Sequence, residues 1–580
     1  MNKKEVAQVL DSIGTILELK GENPFKSRAY YNAARVIETL SEDISVLVEK
    51  GTLGELKGIG TALAEKITTL VKTGNLPYYE TLKSSVPDGL FELLSIPGLG
   101  AKKVKAIYEK LNITTLGELE YACRVNRLRD LDGFGQKSQD KILQGIEQHK
   151  KYRERFLFPV AQEEAHLLSE YLKQNKNFTR LEVAGSLRRK KETIRDIDIV
   201  ASCQIKHRQS LMDYFVHYEK VDQITSLGTT KSAITLKSGI QADLRLVTDA
   251  EFPILLHHST GSKEHNTAMR TLAKSKKLKM NEYGLFRGTK KISCHSEEEI
   301  FKALGLQYIP PELREDLGEI EAARKKGLPR LYDGIPFHGL FHVHSNYSDG
   351  SNSLKEIADY GRQKKWHYIG ICDHSKSAFY AHGLNEERVA QQLREIDELN
   401  ERYAPFRLFK GIEVDILPDG KLDFGDEVLH TFDFVIASVH SHFKMENDTM
   451  TRRICQALRN PAVTMLGHPT GRLLLGREAY AVNMEEVIKT ASQYKKIIEI
   501  NCNPFRLDLD WRYGKLAKSL SVKTALNPDA HSLAGLDDYA YGIGIARKSW
   551  FETEDILNSY DLKHVLSFFK QVHTYVSTHN

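Results

Sequence analysis

Two sets of side chains in this sequence have the types and spacing to hold divalent cations against a phosphate. The first lies in VAGSLRRKKETIRDIDIV, Val183 to Val200. Asp196 and Asp198 are separated by one residue, and in a strand such neighbours point to one face. Two ionised aspartates side by side repel unless a cation sits between them. Asp243, in QADLRLV, lies on a second alternating stretch and can complete the set. Three carboxylates can hold two Mg²⁺ (or Mn²⁺) about 4 Å apart, one activating an attacking hydroxyl and one stabilising a leaving pyrophosphate. Upstream, Gly185 and Ser186 form a small turn suited to phosphate oxygens, with Arg188 and Arg189 adjacent. A lone DxD is usually a solvated turn or edge. A GS turn, a DxD strand and a later AD-x-R-L strand together form the pattern of a nucleotidyl-transfer site.

The second set comes late in the chain. FHVHSNYSDG supplies His342, His344 and Asp349, and ICDHS supplies His374. Glu413, His440 and His468 follow in KGIEVDI, ASVHS and LGHPTGR, and NPDAHS adds Asp529 and His531. Fourteen of the 22 histidines lie after Gly334, a concentration that a solvated surface has no reason to produce. Any one of them alone would read as a core or surface histidine. Mixed imidazole and carboxylate donors suit two or three ions of Zn²⁺, Mn²⁺ or Fe²⁺, and a carboxylate such as Glu413 can bridge two of them. Arg472, Arg477 and Arg506 nearby are candidates for holding a phosphate.

A third feature recurs in the first 150 residues. LKGIGTALAEKI, LSIPGLGAKKVKAIYEKL and LDGFGQKSQDKILQGI each place a G-x-G pair between an apolar residue and the start of a helix. The pairs are Gly58/Gly60, Gly98/Gly100 and Gly133/Gly135, flanked by Lys57, Lys102, Lys103, Lys105 and Lys137. Glycines allow the tight turn and leave no side chain in the way of a phosphate. The following helix N-terminus offers free N–H groups to an anion. One copy would be an ordinary interhelical turn; three in one hydrophobic frame point to a DNA backbone, gripped without reading its sequence.

These residues must be positioned by several domains, since 580 residues are too many for one core. Residues 1 to about 150 read as helical. Alternating strands (LEVAGS, RDIDIVAS, SAITLKS, IQADLRLV) occupy about 180 to 250, and a mixed basic segment runs to about 325. KKGLPRLYDGIP, Lys325 to Pro336, reads as a linker that permits one part to swing against another. Beyond it, short apolar strands (YIGICDH, FRLFKGIEVDI, FDFVIASVH, VTMLGH, IIEIN, TALNPDAH) alternate with helices, and the metal-type residues fall at strand C-terminal ends. An α/β barrel gathers its active site there.

Composition adds few constraints. The net charge of +5 permits a nucleic-acid partner without demanding one. Six cysteines with no CxxC pair suggest a reduced, cytoplasmic protein. No apolar run is long enough for a membrane span.

From residue 1 to 325 the sequence resembles the family X DNA polymerases, the polymerase-beta-like group. The resemblance implies that Asp196 and Asp198 bind both metals, while Asp243 binds the catalytic one and favours loss of the primer 3′-hydroxyl proton. It places Gly185, Ser186 and Arg189 at the triphosphate. HHSTGSKEHNTAMR looks like the nucleotide-binding stretch, with His258, Thr260, Gly261, Ser262, Asn266 and Arg270 in contact positions. Many relatives carry an aromatic pair that crowds the sugar 2′ position, where this chain has His258 and Ser259. Lys66 stands where lyase-competent relatives hold a Schiff-base lysine. The late strings resemble the PHP (polymerase and histidinol phosphatase) domain, with all nine ligand positions filled.

The expected fold is thus multidomain, α+β and α/β. A helical DNA-binding domain (1–85) and a second helix-hairpin-helix domain (86–150) would precede a nucleotidyltransferase palm (151–255) and a thumb-like domain (256–325). After a linker (326–336) would come a PHP domain (337–580), a distorted (βα)7-type barrel. The expected partners are gapped or primed DNA and dNTPs, acted on by a monomer in the cytoplasm, nucleoid-associated when DNA-bound. The expected activities are gap filling and metal-dependent 3′-5′ trimming, with abasic-site cleavage as a further PHP activity. Two alternatives remain: a nuclease that uses the polymerase half as a DNA clamp, and a non-enzymatic scaffold. Unneeded buried carboxylates disfavour the scaffold.

Overall fold

The computed structural model describes residues 1–579 except 2, 39, 41–43, 57, 97, 130, 132 and 151–154, with backbone alone at 4, 148–150 and 573–579. Met1–His149 form one compact unit and Lys150–Asn580 another.

The first unit is helical and has two apolar cores. Val6, Leu10, Ile13, Ile37, Ile67 and Leu70 build one, and Leu90, Leu93, Val104, Ile107, Leu119 and Ile146 the other. The three helices that follow the glycine pairs are α1 (Thr61–Thr73), α2 (Ala101–Leu111) and α3 (Gln136–Lys150). Each inserts apolar residues three or four apart, such as Val104 and Ile107, into its core.

In the second unit a five-stranded sheet comes first. Its strands are β1 (Phe178–Val183), β2 (Asp196–Cys203), β3 (Val221–Ser226), β4 (Lys231–Leu236) and β5 (Gln241–Val247), in the order β1-β2-β5-β4-β3. The central pair β2 and β5 is parallel, and the flanking pairs are antiparallel. Four strands fall where apolar alternation predicts them. The edge strand β3 does not alternate: all but its first residue are exposed, and the antiparallel ladder to β4 holds it. Helices α4 (Phe252–Thr260) and α5 (Lys263–Ser275) follow, so α4 runs across the boundary expected at 255/256.

Seven parallel strands then form the barrel in sequence order: β6 (Gly339–Val343), β7 (Tyr368–His374), β8 (Arg407–Asp415), β9 (Phe434–Ser438), β10 (Met465–Leu466), β11 (Ile497–Asn501) and β12 (Thr524–Asn527). Their residues are buried almost throughout, as expected for strands packed on both faces. The ring closes where Val343 bridges Ala530, with His344 N donating to Ala530 O at 2.9 Å. Phe341, Phe409 and Phe434 meet Phe569 and plug one end with aromatic rings. The candidate metal-type residues gather toward the C-terminal strand ends.

The segment expected as a linker is docked. Tyr332 is fully buried, its N–H donates to Phe551 O at 2.9 Å, and its hydroxyl donates to Pro336 O at 2.8 Å. Arg330 N donates to Glu552 at 2.8 Å. A Gly/Pro-rich string signals irregular backbone, and here that backbone lies against the barrel. Further contacts join the two halves around it. Trp511 Nε1 donates to Glu192 at 3.1 Å, Arg547 to Glu312 at 2.7 Å and Lys515 to Leu317 O at 2.7 Å.

Candidate active sites and nucleic-acid interface

Parallel pairing of β2 with β5 sets Asp198 directly opposite Asp243, and Asp196 follows on the same face of β2. Two ladder partners with like charge and a third carboxylate two residues away make a strongly anionic patch. Burial, then Asp196 and Asp243, push the Asp198 carboxyl up to about 6. Lys231 Nζ lies 2.7 Å from Asp243 Oδ2, and Arg245 and Lys231 offset part of the push on Asp198. The donor set fits hard divalent ions.

The GS turn lies against this patch. Gly185 has φ +62, and a Cβ there would stand 2.2 Å from Asp198 Oδ2, so both backbone and space demand glycine. Arg188 donates to Thr260 Oγ1 at 2.7 Å and to Glu297 at 2.6 Å. Arg189 donates to the Thr260 carbonyl and, at 3.1 Å, to Glu315. A Cβ on Gly261 would come within 3.1 Å of its guanidinium. The structure therefore brings the GS and TGS turns together, but Arg189, read as a triphosphate ligand, is already held by Glu315. Ser262 caps α5 by accepting from His265 N at 3.1 Å. Asn266 donates to the His258 carbonyl at 2.8 Å, and Arg270, one turn further along α5, is exposed. Burial lowers the His258 imidazole, which stands half-buried beside Ser259.

The nine late residues converge at the C-terminal mouth of the barrel. His344, Asp349, His374 and His531 form one group, His342, His344 and Asp529 a second, and His374, Glu413 and His440 a third. Within each group the donor atoms lie within 4.8 Å of one another. His468 Nε2 joins at 3.0 Å from Glu413 Oε1, and His342 and His440 stand 3.3 and 3.2 Å from the same oxygen. Asp349 is set by a loop rather than a strand end: Asp373 accepts from Ser345 N at 2.8 Å and from Ser348 and Gln392. His342, His468 and Asp529 have φ of +59, +23 and +51. Left-handed backbone at non-glycine residues costs free energy and persists where the surroundings enforce it. A bulge between Leu340 and Val343 re-aims His342.

The electrostatics fit cations at this mouth. Burial would lower His374, but Asp349 and Glu413 draw its imidazole up to about 10. Burial, with His531 and His374, pushes neighbouring His344 down to about 3. His344 Nε2 and His374 Nε2 are buried without a well-aligned hydrogen-bond partner, as metal ligands would be. Sequence reasoning missed two orienting carboxylates. Glu499 accepts from His342 Nδ1 at 2.7 Å, His468 N at 3.0 Å, Asn501 at 2.9 Å and Asn527 at 2.8 Å. Asp415 lies 2.6 Å from His440 Nδ1. Both leave Nε2 to face the cluster. The available signal was an acid inside an apolar strand: Glu499 in IIEIN, and Asp415 two residues after Glu413 in IEVDI. Among the arginines, Arg472 is consumed by Asp510 and the Arg506 and Leu507 carbonyls. Arg477 packs on Phe443, and Arg506 stands 3.4 Å from Asp529.

The three glycine turns share one geometry. In each, the residue between the glycines is buried (Ile59, Leu99, Phe134) while both glycines are exposed. That residue's N–H closes a turn onto Leu56 O, Ile96 O or Leu131 O at 2.9–3.0 Å. The first glycines, Gly58, Gly98 and Gly133, have φ of +100, +89 and +84. The second, Gly60, Gly100 and Gly135, start the helices, and a Cβ on them would meet nothing within 4 Å. Internal packing does not require glycine there; an approaching backbone would. Lys102 and Lys137 are exposed beside the turns, and Lys57 lies outside the described residues. Lys66, on α1, donates to the Tyr30 hydroxyl at 2.6 Å and lies 4.1 Å over the Tyr78 ring.

Comparison with known proteins agrees with this layout. Helix-hairpin-helix families match residues 1–76 and 90–148, the DNA polymerase beta thumb matches 255–315, and the PHP domain matches 341–503. The chain is 38% identical to the DNA polymerase/3′-5′ exonuclease PolX of Bacillus subtilis (strain 168), over 98% of this chain and 100% of that protein. A probable phosphatase of Thermoanaerobacter sp. (strain X514) is 30% identical over 30% of this chain and 72% of its own length. One of Caldicellulosiruptor bescii is 31% identical over 28% of this chain and 68% of its own. With a full-length relative at this identity and these domains in this order, the chain belongs to the family X DNA polymerases that carry a C-terminal PHP domain.

Proposed function

We propose that this chain is a DNA-directed DNA polymerase that fills short gaps, with a metal-dependent 3′-5′ exonuclease in its barrel. The observation that carries the polymerase reading is the ladder pairing of Asp198 with Asp243, with Asp196 on the same face. These carboxylates would hold two Mg²⁺ or Mn²⁺, which supply Lewis acidity at phosphorus and make the primer hydroxyl easier to deprotonate. Asp243 would favour loss of that hydroxyl's proton, and the Gly185–Ser186 turn would face the triphosphate with Arg189. The TGS turn and α5 present Asn266 and Arg270 to the base pair. The glycine turns hold gapped or primed DNA by its phosphates.

In the barrel, the nine converging residues would hold two or three ions of Mn²⁺, Zn²⁺ or Fe²⁺. Glu413, 2.9–3.3 Å from His374, His342, His440 and His468, would be a shared ligand among them. Asp373 and Glu499 keep the ligands oriented while a terminal phosphodiester is cleaved.

The test is a labelled primer on gapped DNA, incubated with and without dNTPs in Mg²⁺ or Mn²⁺. Elongation with dNTPs and shortening without them are expected. Asp198→Ala should abolish elongation and leave shortening intact. Extension that survives this substitution would overturn the assignment, and a wild type that only shortens primers would indicate a nuclease with a DNA clamp.

A further inference from the structure

Glu315 sits where the barrel meets the polymerase half. Its Oε1 accepts from Arg189 Nε at 3.1 Å and from Lys548 Nζ at 2.7 Å, and Lys191 Nζ stands 3.5 Å from Oε2. Lys548 ends the barrel helix α6 (Tyr539–Lys548), and its side chain is fully buried. It also donates to the main-chain carbonyls of Arg189 at 3.0 Å and Glu312 at 3.2 Å. The Trp511 ring lies 4.6 Å from Lys191 Nζ and 4.4 Å from Lys548 Nζ. The arginine read as a triphosphate ligand therefore shares its carboxylate with a lysine 359 residues later in the chain.

Burial would raise the Glu315 carboxyl, yet Lys548 first, then Arg189 and Lys191, hold it below the usual range. An incoming triphosphate competes with Glu315 for the Arg189 guanidinium. The outcome depends on how well Glu315 is satisfied without Arg189, because an unpaired buried carboxylate is costly. Lys548, at 2.7 Å, is the nearer of the two lysines left to it, with Lys191 at 3.5 Å.

We propose that Lys548 is a positioning residue for nucleotide incorporation: by satisfying Glu315 and fixing the Arg189 main chain, the barrel frees the Arg189 guanidinium for an incoming triphosphate. The proposal rests on the polymerase reading above.

The test is steady-state gap filling by the full chain as wild type, Lys548→Met, Glu315→Gln and the double variant. The dNTP KM and kcat are measured separately, and 3′ trimming is measured on the same preparations. Lys548→Met should raise the dNTP KM about tenfold, with kcat within about twofold and trimming unchanged. Removing the competing carboxylate with Glu315→Gln should lower KM several-fold, and the double variant should return KM to within about threefold of wild type. A wild-type KM in Lys548→Met with intact trimming would overturn the proposal. So would a double variant as impaired as Lys548→Met. If Lys548→Met does not fold, Glu315→Gln decides alone, and an unchanged or raised KM rejects the idea. Failure of the wild type to extend any primer would instead sink the polymerase reading itself.

Discussion

Asp198 must be ionised to hold a cation, in a place that opposes ionisation. Burial and two neighbouring carboxylates lift its carboxyl from the ordinary 3.8 to about 6. A folded-state value above the unfolded one means this group's stabilising contribution is complete below the unfolded value and is lost as pH rises through about 6. Above that pH the metal-free protein carries a penalty on the order of 1–2 kcal/mol from burying this charge beside two others, after discounting for partial exposure. Asp198→Asn should therefore raise the metal-free unfolding temperature at pH 8, with little change at pH 4. It should also remove the share of Mg²⁺ stabilisation that wild type gains only above about pH 6. Thermal unfolding across pH, with and without Mg²⁺, reads both effects. In the barrel, Glu499→Gln leaves the nine candidate ligands in place but removes the negative charge behind His342 and turns one of two accepting oxygens into an amide donor. Metal affinity and 3′ trimming should fall by about 10–100-fold while primer extension is unchanged. Metal analysis beside the two assays checks this, and equal loss of both activities would argue against it.

At the scale of elements, the glycine turns separate two roles that one residue type plays. Gly98 has a left-handed φ of +89, so Gly98→Ala should cost about 1 kcal/mol in the helical unit. Gly100 has φ −88 and open space around it, so Gly100→Ala should cost less than that and still weaken DNA binding several-fold. Fluorescence anisotropy over a salt series, paired with thermal unfolding, distinguishes the two variants. Unchanged affinity in Gly100→Ala would remove the turn from the DNA interface. These turns were legible because their whole logic spans about twenty residues, with an apolar residue in, glycines out and a helix next. The edge strand β3 was not, since VDQITS carries no apolar alternation and depends on a ladder formed with β4.

Across the whole second unit, the polymerase half and the barrel are joined by buried polar contacts rather than by a tether. Trp511 is central, bonding Glu192 and covering Lys191 and Lys548. Trp511→Ala should speed amide exchange across 328–336, including the Tyr332 N–H bonded to Phe551 O, while leaving the aromatic plug of the barrel protected. Hydrogen exchange with mass spectrometry reads both regions. Free exchange at 328–336 in the wild type would contradict the docking. With the barrel held in this way, a primer end would have to travel between the two sites.

The residues suited to metal and phosphate chemistry, and the strands that carry most of them, were determined by sequence alone. A DxD on an alternating strand, imidazoles at the ends of apolar strands and glycines before helices each express their geometry within a few residues. Tertiary structure alone decided what those residues answer to. Ring closure put Glu499 behind His342, 157 residues away, sheet pairing put Lys231 beside Asp243, and domain docking gave Glu315 both Arg189 and Lys548. The physical reason is that hydrogen-bond and charge partners are chosen by which surfaces pack together. Local spacing carries no record of a neighbour supplied by another strand or another domain.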